Sequence, residues 1–145
     1  MASFNKVNDF IANVVHSINL SSDQITVALS DTAPSSETND PSVDGNGIVG
    51  NVTEIDYSNL SSRDVTTTSS SQSSGTYKLV LQDLTVTASG GSVGPFRYLY
   101  LYDDTVTSPA DPIIGYYDYG SSLTLNDGDS FTFDFSATNG VIQLT

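Results

Sequence analysis

Residues 75–102 constrain the fold of this chain most, because their side chains alternate with the two-residue period of β-strands. In the first half, Tyr77, Leu79 and Leu81 share one face. The Gly-Gly-Ser sequence at residues 90–92 then marks a turn, since glycine tolerates backbone conformations that other residues avoid. The stretch is therefore predicted to form a β-hairpin whose second arm ends in an aromatic-rich strand.

The second arm of this hairpin carries apolar or aromatic side chains on both faces, with tyrosines on one face and leucines on the other. Such a strand needs one face covered by the domain core and the other by a second sheet or another molecule. Tyrosine is favoured at interfaces, although in a β-sandwich it also lines the core. Together with an aromatic strand at residues 113–119 and the N-terminal segment, the candidate interaction residues are Phe4, Val7, Phe10, Tyr98, Tyr100, Tyr102, Tyr116 and Tyr117.

Length and composition indicate one domain, residues 1–145, that folds without disulfide cross-links. The chain has 145 residues and no cysteine, which excludes disulfides and thiolate chemistry. Seventeen acidic residues against four basic ones give a net charge of -13, which disfavours binding to nucleic acid and to anionic membranes. We find no signal for secretion or for a membrane span, so we expect a protein that is made in the cytoplasm.

The N-terminal region is predicted to be helical. Apolar residues recur every three or four positions between Phe4 and Ile18, which favours an amphipathic helix over residues 3–18 with Ser3 as its N-cap. Residues 31–50 follow a first strand and are rich in Asp, Ser, Pro, Asn and Gly. They are predicted to form a long acidic loop, either an interaction arm or a disordered surface segment.

The rest of the chain reads as short strands separated by turns. About eight or nine strands with one helix at the front predict a mainly β fold, an antiparallel β-sandwich or flattened barrel. The further predicted strands are residues 25–29, 52–55, 65–70, 113–119, 123–125, 131–135 and 141–144, and the predicted turns are residues 69–75 and 120–122.

Catalysis has little support in the sequence, and we predict no enzyme, no cofactor and no metal. The single histidine, His16, lies in the predicted helix without a partner motif. If the chain were a glycosidase, its catalytic acid and base would be a pair of aspartates. The candidate pairs are Asp103 with Asp104 and Asp127 with Asp129. A structural calcium site at residues 126–129 or 40–46 is a further alternative, but neither segment matches a twelve-residue calcium loop.

Several longer motifs are distributed over nearly the whole chain. They are Phe4-Asn5-Lys6, residues 25–29 followed by Asp31-Thr32-Ala33-Pro34, Gly75 to Leu81, Ala88 to Tyr98, Ser108 to Gly115, Tyr117 to Ser122, and Asp127-Gly128-Asp129 ahead of residues 131–135. On these motifs the chain resembles a group of small tailed-phage virion proteins, best in its C-terminal two-thirds. It departs from that family's Ala-rich and Gly-rich middle region at residues 40–59.

The resemblance implies a capsid-associated β-sandwich that serves as a cement, or decoration, protein on an icosahedral shell. The implied partner is the major capsid protein of an HK97-like shell, and the implied location is the exterior of the virion capsid. A homo-oligomer is expected, with a trimer favoured and a dimer as the other possibility. Two alternatives remain open: a phage tail or head-tail connector protein, and a carbohydrate-binding module that stacks sugars on exposed tyrosines.

Overall fold

The structure, a computed structural model, describes residues 2–145 and is mainly β. It contains ten strands in three antiparallel sheets and one α-helix, and the sheets formed by these residues do not close into a barrel. The predicted mainly β, sandwich-like class is therefore confirmed. The elements are β1 (Phe4–Lys6), α1 (Phe10–His16), β2 (Ile25–Ser30), β3 (Asp64–Val65), β4 (Thr67–Ser73), β5 (Thr76–Leu81), β6 (Leu84–Thr87), β7 (Val93–Asp103), β8 (Ile113–Leu125), β9 (Ser130–Phe133) and β10 (Ile142–Leu144), with 3-10 helices at Pro34–Ser36 and Val49–Asn51.

The largest sheet has five strands in the order β1-β8-β7-β2-β3. Strand β7 is central, with β2 on one side and β8 on the other. All residues from Tyr98 to Asp103 are buried, and so is every residue of β2. The alternation in β7 thus predicted correctly that both of its faces are buried. Side chains of the same chain pack on both faces as part of the hydrophobic core.

The predicted hairpin over residues 75–102 is wrong. Strand β5 pairs with β4 and β10 in a three-stranded sheet, whereas β7 pairs with β2 and β8. The stretch between these two arms contains a strand of its own, β6, which pairs with β9 in a two-stranded sheet. Because β6 has its hydrogen-bonding partner elsewhere, the chain leaves the sheet of β5 before it enters that of β7.

The predicted helix over residues 3–18 is too long. Phe4–Lys6 form β1, which pairs with Gly115 to Tyr117 of β8, and the helix spans only Phe10–His16. The ring of Phe4 packs on that of Tyr117 with centroids 5.3 Å apart. This contact, together with the strand pairing, outweighs the helical spacing of the apolar residues.

Gly115 allows β1 to lie against β8. A Cβ atom at this position would collide with the ring of Phe4 and would lie 2.6 Å from the carbonyl oxygen of Asn5. We expect Gly115→Ala to lower the free energy of unfolding by about 1 to 3 kcal/mol, the usual cost of overpacking a buried site. Urea unfolding followed by circular dichroism measures the change. The control is Gly50→Ala, where a Cβ meets only the end of Ile48 at 3.7 Å and stability should hardly change.

The connection between β2 and β3 is tied down by side chains rather than by strand pairing. The Asp9 carboxylate accepts hydrogen bonds from the backbone N–H groups of Gly45 and Gly47 at 3.0 and 2.9 Å. The Glu37 carboxylate accepts bonds from the backbone N–H and the hydroxyl of Thr53 at 2.7 and 2.8 Å. Asp9 directly precedes α1, so these bonds connect the acidic loop to the start of the helix.

Three smaller predictions of secondary structure are also wrong. Residues 52–55 do not form a strand, and a single bond from the Ile55 N–H to the Leu29 carbonyl connects them to β2. Residues 69–73 belong to β4 instead of a turn. Residues 120–122 do not interrupt β8, because the register shifts between β7 and β8 accommodate the positive φ of Gly120 within the strand.

Candidate functional site

An open groove lined with aromatic side chains lies between the five-stranded sheet and the β6-β9 sheet. We call it the aromatic groove, and its volume is about 260 Å³. Strands β7 and β8 supply one wall, and β9 with the two residues after it supplies the other. The lining residues are Ala2, Phe96, Arg97, Leu99, Tyr117, Tyr119, Phe131, Thr132, Phe133, Asp134 and Phe135.

Phe131 is at the centre of the aromatic packing in the groove. Its ring contacts Tyr119 and Phe96 edge to face, with centroids 5.4 and 6.3 Å away, and that of Phe133 at a tilt with centroids 5.2 Å apart. Edge-to-face pairs of this kind stabilise an aromatic cluster beyond the effect of buried area alone. Tyr119 remains 53 % exposed, so the cluster extends from the core to solvent.

An ion pair forms part of the groove wall. The guanidinium of Arg97 donates to both carboxylate oxygens of Asp118, at 2.7 and 3.0 Å. These bonds lower the pKa of Asp118 below its ordinary value. Asp134 lines the groove, and Asp31 accepts a bond from the hydroxyl of Ser122 at 2.6 Å. The bond to Asp118, with a smaller contribution from the charge of Asp31, raises the pKa of Arg97 above its ordinary value. The groove is thus apolar inside and mainly acidic around its edge.

The structure places most of the predicted interaction residues inside the core, which corrects that prediction for five of them. The five are Val7, Phe10, Tyr98, Tyr100 and Tyr102, each with no more than 7 % of its surface exposed. They present no contact surface in this conformation. The physical reason is that β2 and β8 flank β7 within its sheet while other parts of the core pack on both of its faces, which the local alternation could not reveal.

The other three predicted residues are half-buried, and one of them belongs to the aromatic groove. Tyr117 lines the groove, and its ring lies between those of Phe4 and Phe135 at 5.3 and 6.1 Å. Burial raises the pKa of Tyr117 to about 12, so its hydroxyl stays protonated at neutral pH. Tyr116 packs against Tyr100 with centroids 5.6 Å apart.

Sequence reasoning missed Phe96, Tyr119 and Phe131 as groove residues. The signal that was available is the alternation of three phenylalanines at residues 131–135, which the sequence analysis used only to predict a strand. The pairing of β6 with β9 sets this strand opposite β8, and only this long-range pairing brings Phe131 to Tyr119.

The most perturbed carboxyl group lies outside the groove, at the end of β7. Asp103 is fully buried, and its Oδ1 accepts bonds from the backbone N–H groups of Thr105 and Val106 at 2.9 and 3.0 Å. Its Oδ2 has no donor among the described residues. Burial, followed by the neighbouring Asp23 carboxyl group, raises the pKa of Asp103 to about 6.

The remaining chemical candidates take local structural roles. Asp127 accepts a bond from the Gly90 N–H and Asp129 one from the Asn126 N–H, both at 2.9 Å, so these carboxylates stabilise turns. Asp104 and His16 are exposed at the surface. Across residues 2–145, no three His, Cys, Asp or Glu side chains lie close enough together to hold a metal ion.

Comparison with protein-family models, with curated protein sequences and with solved structures finds no match to this chain. Within residues 2–145, no helix has the length and apolar character needed to cross a bilayer. The function of the chain is therefore inferred from the aromatic groove, the charges around it and the sequence resemblance given above.

Proposed function

We propose that this chain is a non-enzymatic structural protein of a phage virion, and specifically a cement protein on the outside of an icosahedral capsid. The sequence resemblance supports the virion class. The observation that carries a binding role is the aromatic groove, an apolar surface open to solvent on an otherwise acidic protein. Open apolar surface of this kind is typical of sites that bury against a partner.

A cement protein needs binding surface rather than an active site. It stabilises the seams of a shell by contacting two or more neighbouring capsomers at once, and binding to the assembled lattice adds stability by mass action. A net charge of -13 suits this role, because negatively charged subunits repel one another and packaged DNA while they remain free. The proposed partner is the major capsid protein of an HK97-like shell.

The proposed homo-oligomer, a trimer or a dimer, must use a different surface from the strand tyrosines that are buried in β7. On helix α1, Ile11 and Val15 lie four residues apart and are 46 % and 74 % exposed. Residues at this spacing share one helix face, so together they offer a small apolar contact. Light scattering after size exclusion measures the oligomeric state, and Val15→Ser should shift it toward monomer if this face is used.

The decisive experiment adds purified protein to phage shells that lack it. We expect new density at the seams between capsomers in electron micrographs, and disruption of the shells at a higher temperature. The matched variant is Tyr119→Ser, which changes the exposed side chain of the groove, with Val43→Ser as the control at an exposed apolar residue elsewhere. Shells that gain neither density nor thermal stability would rule out the cement role.

Copy number separates this proposal from the alternative of a tail or connector protein. A cement subunit should be present in hundreds of copies per virion, whereas a connector is present in tens or fewer, as rough expectations from closed symmetry. Quantitative mass spectrometry of purified virions gives this number. Glycan-array binding that Tyr119→Ser abolishes would instead favour the carbohydrate-binding alternative.

A further inference from the structure

We propose that the aromatic groove docks an extended segment of a partner protein, which inserts one aromatic or large aliphatic side chain and carries lysine or arginine next to it. This inference names the partner chemistry of the same site and rests on the proposed binding role of the groove. It does not require that the partner be a capsid shell. Three observations carry it: the size of the groove, the free edge of β8 and the charges around both.

The size of the groove suits a side chain better than a whole ligand. Small-molecule sites in proteins usually enclose about 300 to 1,000 Å³ and bury most of their ligand. The aromatic groove has about 260 Å³ and is open on one side. A volume of this size accepts one large side chain as an anchor, and anchors of this kind dominate the energetics of many protein interfaces.

The edge of β8 favours an extended segment. Strand β1 covers β8 only from Gly115 to Tyr117, whereas β8 continues to Leu125. Among residues 2–145, no strand pairs with β8 beyond Tyr117 on the side of β1. The antiparallel register of β1 carries Ala2, which also lines the groove, toward Tyr119, so a partner segment on the free edge would begin beyond Ala2, at the end of β8 that adjoins the groove. Strand edges bind extended peptides through backbone hydrogen bonds, while pockets select their side chains.

The charges around the groove select a basic segment. Arg97 is already bound to Asp118, so it offers no free charge to a partner. Asp31 and Asp134 have no ion-pair partner among residues 2–145. A second copy of this chain would bring its own charge of -13 to this acidic edge, which opposes self-association there. Lysine or arginine beside the anchor would instead be able to form an ion pair with Asp31 or Asp134.

The test uses two synthetic peptides of the same length. One has a central phenylalanine flanked on both sides by lysines, and the other has glutamates in place of the lysines. Each is titrated into the ¹⁵N-labelled full chain. We expect the lysine peptide to shift the amide signals of Tyr119, Phe131 and Thr132 and to bind at least about tenfold more tightly than the glutamate peptide. Added salt should weaken this binding, because the charges involved are exposed.

Variants connect the binding to the groove. Tyr119→Ser should weaken binding of the lysine peptide at least about fivefold, and the double substitution Asp31→Asn with Asp134→Asn should remove most of the preference for lysine over glutamate. The matched controls are Val43→Ser and the double substitution Asp44→Asn with Asp104→Asn, which lie outside the groove lining and should bind like the unchanged protein.

Four results would overturn the proposal. The first is that neither peptide shifts the amide signals of the groove, and the second is that both peptides bind with equal affinity. The third is that Tyr119→Ser leaves peptide binding unchanged. The fourth is that the groove signals shift on dilution without peptide, as expected if a second copy of the chain occupies the groove. If any of these results were found and the Tyr119→Ser variant still bound to phage shells, the cement role would remain supported although the groove proposal had failed. If the protein bound the lysine peptide but not the shells, the groove would be supported as a peptide-binding site and the cement role would be rejected.

Discussion

Replacing Tyr100 with alanine is expected to lower the free energy of unfolding by about 3 to 5 kcal/mol, the usual cost of removing a buried aromatic side chain. Tyr100 has no exposed surface, and it lies at the centre of the five-stranded sheet, opposite Ala28 on β2 and Tyr116 on β8. A cavity at this point would remove contacts on both sides of β7. Urea unfolding at neutral pH, followed by far-UV circular dichroism, measures the change.

Tyr100→Phe is the matched control for this experiment. The Tyr100 hydroxyl is buried without a hydrogen-bond partner, and burial raises the pKa of this side chain. Removing an unpartnered hydroxyl relieves a desolvation cost, so Tyr100→Phe should leave stability within about 1 kcal/mol or increase it. The exposed Tyr119→Ala should change stability by less than about 1 kcal/mol. A loss in Tyr100→Phe as large as that in Tyr100→Ala would contradict the structure at this site.

Replacing Asp103 with asparagine is expected to stabilise the protein at neutral pH and to reduce the dependence of its stability on pH. Asparagine has nearly the same shape as a protonated aspartic acid. Its side-chain oxygen can accept the bonds from Thr105 and Val106, and its amide nitrogen would take the place of Oδ2, which has no donor among the described residues. The variant therefore keeps the hydrogen bonds of the neutral carboxyl group and avoids the burial of a second negative charge.

The direction of the pH dependence follows from the raised pKa. The folded protein holds the Asp103 proton more tightly than the unfolded chain, so this group contributes full stability below about pH 4, and the contribution is lost as the pH rises through about 6. At pH 8 we therefore expect Asp103→Asn to be more stable than the unchanged protein by roughly 2 kcal/mol, within the usual cost of leaving a buried polar atom without a partner, with the difference shrinking toward pH 4.

The measurement compares thermal unfolding of the two proteins between pH 4 and pH 8. A gain of roughly 2 kcal/mol should raise the melting temperature by about 6 °C in a chain of this length. The exposed neighbour Asp104 supplies the control, because Asp104→Asn removes the same charge without changing a buried group. If Asp103→Asn were less stable than the unchanged protein at every pH, the raised pKa of Asp103 would be ruled out as a source of the pH dependence.

Local alternation predicted the secondary structure where a strand has one dominant pattern. Strand β2, the central part of β7 and the phenylalanine strand β9 were all predicted close to their observed positions. Local patterns gave the wrong prediction where the spacing of apolar residues fits a helix but the backbone pairs as a strand. Phe4, Val7 and Phe10 fit a helical stripe, yet Phe4 is in a strand, because its backbone pairs with β8 and its ring packs on Tyr117.

The candidate site was harder to predict than the strands that form it. Tyr98, Tyr100 and Tyr102 were expected at an interface, but they are buried under sheets whose order the sequence does not state. Tyr119 and Phe131 form the open part of the groove, and they come from strands that are not neighbours in any sheet. Only Tyr117 belongs both to the predicted residues and to the groove.

Composition and local alternation are sufficient to predict the class of the fold, the acidic surface and the burial of both faces of β7. These properties depend on composition and on the two-residue period of a strand, which act over a few neighbouring residues. The tertiary structure decided which strands pair, which tyrosines are buried and where an apolar surface stays open. These outcomes depend on contacts between distant segments, such as β1 with β8 and β6 with β9, so local patterns carry no information about them.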